Sequence, residues 1–135
     1  MGDSIRVLHI EDDFADAMLL QHALFDAGGL DVKLEVARTL VDARYMLARR
    51  KYDLVVADLR LPDSTDPVET IAMIERHASA TPILVLTGSA LVDADRIAPH
   101  VTLLDKNDFF HGRDEEKSRA LLDHVRDAAE DTLHL

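Results

Sequence analysis

Four short apolar runs, each ending in a polar or charged residue, constrain this chain more than any other feature. Asp53-Leu-Val-Val-Ala-Asp58 stops at a carboxylate and is followed at once by Leu59-Arg60-Leu61-Pro62. Ile5-Arg-Val-Leu-His-Ile10 runs into Glu11-Asp12, Pro82-Ile-Leu-Val-Leu86 into Thr87, and Val101-Thr-Leu-Leu104 into Asp105-Lys106. An uninterrupted Val/Leu run of this length reads as a strand buried on both faces, the signature of a parallel sheet covered by helices. Such sheets bind ligands beyond the carboxyl ends of their strands. Acids, a hydroxyl and an amine at those ends are therefore aimed at a site.

Amphipathic stretches alternate with the apolar runs, which predicts repeated βα units and not a bundle or sandwich. Strands are expected near 5–10, 32–36, 53–58, 82–87 and 100–104, and helices near 14–27, 39–50, 67–78, 90–98 and 114–130. In the first helix Ala17, Leu20, Leu24 and Ala27 recur at three- and four-residue spacing before Gly28-Gly29 supplies a stop. Leu121, Leu122, Val125 and Ala128 or Ala129 repeat the pattern in the last helix, so both should pack on the sheet. Right-handed crossovers then favour a flavodoxin-like, doubly wound five-stranded parallel sheet of order 2-1-3-4-5, with helices on both faces.

The 135 residues suit one domain spanning 1–135, and no apolar run reaches the roughly 18 to 20 residues of a membrane span. No cysteine is present, which removes disulfides and thiolate metal sites. With no signal-peptide pattern at the start, the expected location is the cytoplasm. A net charge of −11 disfavours nucleic acid and anionic membrane as partners. It fits solubility, or a local acidic site that attracts a divalent cation.

In the 2-1-3-4-5 order strands one and three are neighbours, so Glu11, Asp12 and Asp58 meet at the switch point, with Thr87 and Lys106 on the same side. Two carboxylates about 4 Å apart repel by roughly 4 kcal/mol at an effective dielectric near 20. Oxygen ligands without histidine or cysteine suit a hard ion such as Mg²⁺ or Mn²⁺. An acid, a metal, an amine and a hydroxyl are the parts needed to move a phosphoryl group.

Glu11-Asp12 after strand one, Asp58 with Pro62 four residues on, Thr87-Gly88 after strand four and Lys106 after strand five resemble the receiver domain of two-component response regulators. The likeness runs from about Ile5 to Ala129. It implies that Asp58 is the phosphoacceptor, taking a phosphoryl group from a histidine kinase, a phosphotransfer protein or a small phosphodonor to form an acyl phosphate. By the same resemblance Asp12 and Asp58 hold Mg²⁺ with the backbone carbonyl of Arg60, and Glu11 acts through water. Lys106 and Thr87 bind phosphoryl oxygens, and the backbone amides of Leu59, Arg60 and Gly88 complete the cradle. A receiver is a phosphoprotein that assists its own phosphorylation and dephosphorylation, not an enzyme turning over a separate substrate. As a stand-alone domain it would signal by protein contact with a downstream target, as a relay intermediate, effector or phosphate sink, and dimerisation stays open.

Other readings compete residue by residue. Asp13-Phe-Ala-Asp16 reads as a helix N-cap with an acid at N3, which assigns Asp13 to capping over metal binding. Phe14, Met18 and Leu19 lie near the site-proximal end of the first helix, where receivers dock their kinase, although packing on the sheet is the simpler expectation for each. The seven histidines show no ligand spacing and read as surface or packing residues. Pro62 to Pro67 read as a polar turn into the third helix. Two further classes remain: a Mg²⁺-dependent phosphohydrolase, against which Arg60 stands where a second acid belongs, and a pseudo-receiver that binds without phosphorylation.

Several positions depart from the receiver pattern. Leu103 stands where the family carries Tyr or Phe, and Asn107 replaces the proline after the lysine, so a trans peptide is expected there. The stretch from Thr87 to Lys106 is short, which predicts a short or irregular helix within it. Arg60 falls over the expected phosphoryl position, where a long cation would block or orient water, or else pair with Glu11 or Asp63.

Overall fold

Strands β1 (Ile5–Ile10), β2 (Val32–Ala37), β3 (Leu54–Ala57), β4 (Ile83–Thr87) and β5 (Thr102–Asp105) form one parallel sheet of order β2-β1-β3-β4-β5. A computed structural model describes residues 4–27, 31–59, 61–63, 66–78, 80–88, 101–110 and 115–133. The helices are α1 (Phe14–Ala27), α2 (Leu40–Arg49), α3 (Pro67–His77), α4 (Lys106–Phe110) and α5 (Glu115–Leu133). Strand order and boundaries agree with the apolar runs to within two residues. The expected helix at 90–98 and the Gly28-Gly29 stop lie outside the described residues. No helix among those described is long and apolar enough to cross a membrane.

β3 and β4 are buried at every position, as continuous apolar strands between two helical layers must be. On one face Leu8, Ile10, Val55 and Val85 pack with Ala43 and Leu47 of α2 and Ile71 and Ile74 of α3. On the other, Val7, Val56, Leu84 and Leu86 pack with Leu20, Ala23 and Leu24 of α1 and Leu121, Leu122, Val125, Ala128 and Ala129 of α5. The periodic stripes of the first and last helices thus cover the sheet as expected. One expectation fails: Phe14, Met18 and Leu19 are exposed, at 69%, 41% and 41%. The buried stripe of α1 runs through Ala17, Leu20 and Leu24, and these three residues project from the opposite side.

Capping fixes the helix entries. Asp13 accepts hydrogen bonds from the amides of Ala15 and Asp16, as the sequence predicts, and Asp66 accepts one from Val68 ahead of Pro67 at the start of α3. α2 is capped twice. Thr39 accepts from the Asp42 amide, and the Asp63 carboxylate accepts from Leu40 at 2.9 Å and Val41 at 3.1 Å. Leu59 and Leu61 are buried in the core on the α2/α3 face, so the chain leaving Asp58 is held by packing before it reaches these caps. The short α4 was not expected; Asp105 accepts a hydrogen bond from the Asn107 amide and starts it at Lys106.

His9 is an anomaly of the core. It lies on β1 opposite Val56, fully buried, and neither ring nitrogen has a hydrogen-bond partner among the described residues. Burial, with the Lys106 charge, pushes its pKa down to about 3 despite the opposing pull of Asp58.

Two stability predictions follow from these contacts. Asp63→Ala removes two capping hydrogen bonds from α2, leaving that of Thr39, and is expected to lower unfolding free energy by about 1 kcal/mol in urea titrations. His9→Leu fills the site without unpaired nitrogens and should gain about 1 kcal/mol at neutral pH. Because the folded pKa of His9 lies below the unfolded value, its stability contribution is present above pH 6.5 and lost as pH falls toward 3. The advantage of His9→Leu over wild type should therefore grow by about 2 kcal/mol from pH 7 to pH 5. Glu11, whose pKa is raised to about 8, acts in the reverse sense between pH 4.5 and 8, so the difference between the two proteins is the quantity to measure.

Candidate functional site

Register assembles the site. Ile10 pairs with Ala57, so Glu11 and Asp58 leave adjacent strands side by side, and Thr87 pairs with Asp105, which places Lys106 one residue beyond. The backbone continues the match: the Asp58 amide donates to the Ile10 carbonyl at 2.9 Å, and the Glu11 amide to the Ala37 carbonyl at 2.8 Å. Residues at the ends of four strands that are far apart in sequence thus converge.

Asp58 is 5% exposed, and each of its oxygens is engaged. Thr87 Oγ1 donates to Oδ1 at 3.0 Å, and Lys106 Nζ donates to Oδ2 at 2.8 Å. Lys106 also donates to Glu11 Oε1 and, at 2.7 Å, to Asp16 Oδ2. Glu11, Asp12 and Asp58 bring one carboxylate oxygen each to within 4.8 Å of one another. Asp12, Asp13, Asp16, Asp58, Gly88 and Lys106 line an open depression of about 370 Å³ above the strand ends. A Cβ on Gly88 would meet Lys106 Cδ at 3.9 Å, so the turn after β4 runs directly along the lysine stem.

The electrostatics follow from that crowding. Burial pushes Glu11 up to about 8, with nearby Asp58 adding to the rise and Lys106 opposing it. Burial alone would lower Lys106, but its hydrogen bonds to Asp16, Asp58 and Glu11 outweigh that and hold it above the ordinary lysine value. The site therefore keeps its ammonium charged, while burial works against the charge on Glu11. An all-oxygen donor set of three carboxylates suits a hard divalent cation, whose charge would offset theirs.

Glu11, Asp12, Asp58, Thr87 and Lys106 are all brought together, with Gly88 beside them. Leu59 follows Asp58 with its side chain in the core. Arg60, expected to supply a carbonyl and an amide, lies outside the described residues. The suggested pairing of Arg60 with Glu11 or Asp63 therefore lies outside the described residues as well. Asp13 caps α1 as expected. Asp16, read from sequence as the N3 acid of that cap, instead reaches Lys106. The available signal was its place in the first turn of α1, one turn beyond Asp12 and Asp13 at the end of β1. Arg38 was also missed; its Nη2 donates to the Asp12 carbonyl at 3.3 Å and brings a cation to the rim.

Known proteins resemble this chain in sequence and fold. Residues 7–107 match the sequence model of the response regulator receiver domain. Over 95 residues the chain is 33% identical to the sensor protein GacS of Pseudomonas syringae pv. syringae, covering 67% of this chain and 10% of that protein. Over 88 residues it is 28% identical to the response regulator protein PilR of Pseudomonas aeruginosa, covering 65% of this chain and 19% of that protein. The chain thus spans less than a fifth of the length of these relatives. Its fold superposes on the signal receiver domain of an HD domain-containing protein from Pseudomonas fluorescens Pf-5 with a TM-score of 0.76 at 25% identity, covering 98% of this chain and 99% of that one. Sheet order, strand-end chemistry and sequence match agree, and the chain belongs to the response regulator receiver domain family of two-component signalling.

Proposed function

We propose that Asp58 is the residue that receives the phosphoryl group, and that residues 1–135 act as one receiver module passing that signal on by protein contact. The observation that carries this reading is the division of labour at Asp58: Lys106 holds one carboxylate oxygen and Thr87 the other. A carboxylate so held is oriented as a nucleophile, and the same two donors are in place for the oxygens of an incoming phosphoryl group. With phosphohistidine as donor, an Asp58 oxygen forms the new P–O bond as the P–N bond breaks. The electron pair leaves with the imidazole nitrogen, which takes a proton from water. With acetyl phosphate the leaving group is acetate. The protein's share of the chemistry is positioning and charge neutralisation.

Glu11, Asp12 and Asp58 are the residues that would hold Mg²⁺ or Mn²⁺, with the Arg60 carbonyl as a further ligand by analogy with the family. When bound, the ion supplies the positive charge that offsets the carboxylates and the transferred phosphoryl oxygens. Backbone amides at Leu59, Arg60 and Gly88 complete the cradle in this reading. Phosphodonors are a histidine kinase or phosphotransfer protein, and the listener is a protein target. The negative charge of the chain fits a protein partner better than nucleic acid.

Intact-mass measurement after incubation with acetyl phosphate and Mg²⁺ tests the reading. One phosphoryl group per chain is expected, absent in Asp58→Asn and formed roughly 100-fold more slowly in Lys106→Met, which lacks the donor to the phosphoryl oxygens. Continuous turnover of phosphoesters would instead indicate a hydrolase, and no adduct at all a binding module that has lost phosphorylation.

A further inference from the structure

Asp16 has no part in the chemistry set out above, yet its Oδ2 lies 2.7 Å from Lys106 Nζ. The two residues come from distant parts of the chain. Asp16 sits in the first turn of α1, and Lys106 follows β5 at the start of α4. Their ion pair ties the end of the sheet to the entry of a helix.

An ammonium carries three protons. Among the described residues Lys106 spends one on each of three carboxylates, those of Glu11, Asp16 and Asp58. It can take up a phosphoryl oxygen only by giving one of them up. The Glu11 side chain is 0% exposed and that of Asp58 is 7% exposed, whereas Asp16 is 28% exposed. Asp16 is the one of the three that lies outside both the acceptor and the carboxylates that would hold a metal, and it can turn outward and be hydrated.

We infer that Asp16 is a positioning residue that holds Lys106 in the unphosphorylated chain and is displaced from it when the phosphoryl group arrives. The inference rests on Asp58 being the phosphoacceptor. Asp16 also adds negative charge at the mouth of the depression, which an incoming phosphodonor must pass. Its loss from Lys106 loosens the first turn of α1, beside the exposed side chains of Phe14, Met18 and Leu19. Phosphorylation at the sheet end is thereby communicated to the surface of α1 through an exchanged ion pair.

The test compares wild-type chain, Asp16→Asn and Asp16→Glu with acetyl phosphate at saturating Mg²⁺, so that any change in cation affinity is masked. Labelling of Asp58 should be about fivefold faster in Asp16→Asn, the scale of one partly exposed ion pair, and should return to within about twofold of wild type in Asp16→Glu. Amide hydrogen exchange supplies the second readout. In wild type, beryllofluoride with Mg²⁺ should accelerate exchange at Ala15, Asp16 and Ala17, whereas Asp16→Asn should show the faster exchange without it. A residue with a merely structural role would speed exchange but not labelling. Labelling of Asp16→Asn at or below the wild-type rate, or exchange in wild type that ignores beryllofluoride, overturns the inference while leaving Asp58 as the acceptor. Failure of wild type to form any adduct overturns both.

Discussion

The structure turns on one ammonium group among carboxylates. Lys106 is nearly buried and bridges Glu11, Asp16 and Asp58, with Asp12 close by. Removing charges from water is expensive, and an ion cluster persists only where geometry is good and lone pairs are satisfied. Here the geometry is supplied by the parallel ladder, which places the ends of β1, β3, β4 and β5 at one level. Burial, with Asp58 adding to it, works against the charge on Glu11 even with Lys106 in place. A site with surplus negative charge and one fixed cation is suited to hold a divalent ion and then an anion. Neither alone would satisfy it.

The surroundings are organised to keep Asp58 still. Its amide is tied to β1, and the following Leu59 and Leu61 are anchored in the core. Asp63 then caps α2 and Asp66 caps α3, so the chain leaving Asp58 is fastened to both helices on that face. Such support narrows the orientations of the Asp58 carboxylate, which on a loose turn would sample many. His9 shows the opposite case: a buried ring on β1, two residues before Glu11, with neither nitrogen paired among the described residues.

Much of this was legible in the sequence because it depends on local pattern. Continuous apolar runs identify double-sided strands, and the residues that end them are read directly. The order 2-1-3-4-5 follows from handedness rules, and the order alone brings Glu11, Asp12, Asp58, Thr87 and Lys106 together. What was not legible depends on pairs separated along the chain. Asp63 and the α2 amides lie in different βα units, and Asp16 and Lys106 are farther apart still. No periodicity marks such partners, and each acid had an adequate local explanation as a turn or cap residue. Sheet packing was the simpler expectation for Phe14, Met18 and Leu19, and it failed for a related reason. Apolar residues on both sides of α1 leave the buried side undecided until α5 packs against it.

Leu103 makes the Lys106 route the more direct way for a modification to be felt. It lies half-buried against the core on the α2/α3 face, pairing with Val85, and has no hydroxyl to form a new hydrogen bond. A route that depends on an aromatic side chain rotating beside Thr87 therefore has no phenol to anchor its end state. Lys106, in contrast, already connects the sheet end to α1 through a contact that is exposed enough to break. A two-state element needs differential contacts in its two states, and an ammonium with every proton engaged provides them by exchange, since each new acceptor must displace an old one. On this argument the sequence departure at Leu103 and the unforeseen contact at Asp16 belong together: where one coupling lacks its aromatic, the donor count at Lys106 supplies another, directed at α1.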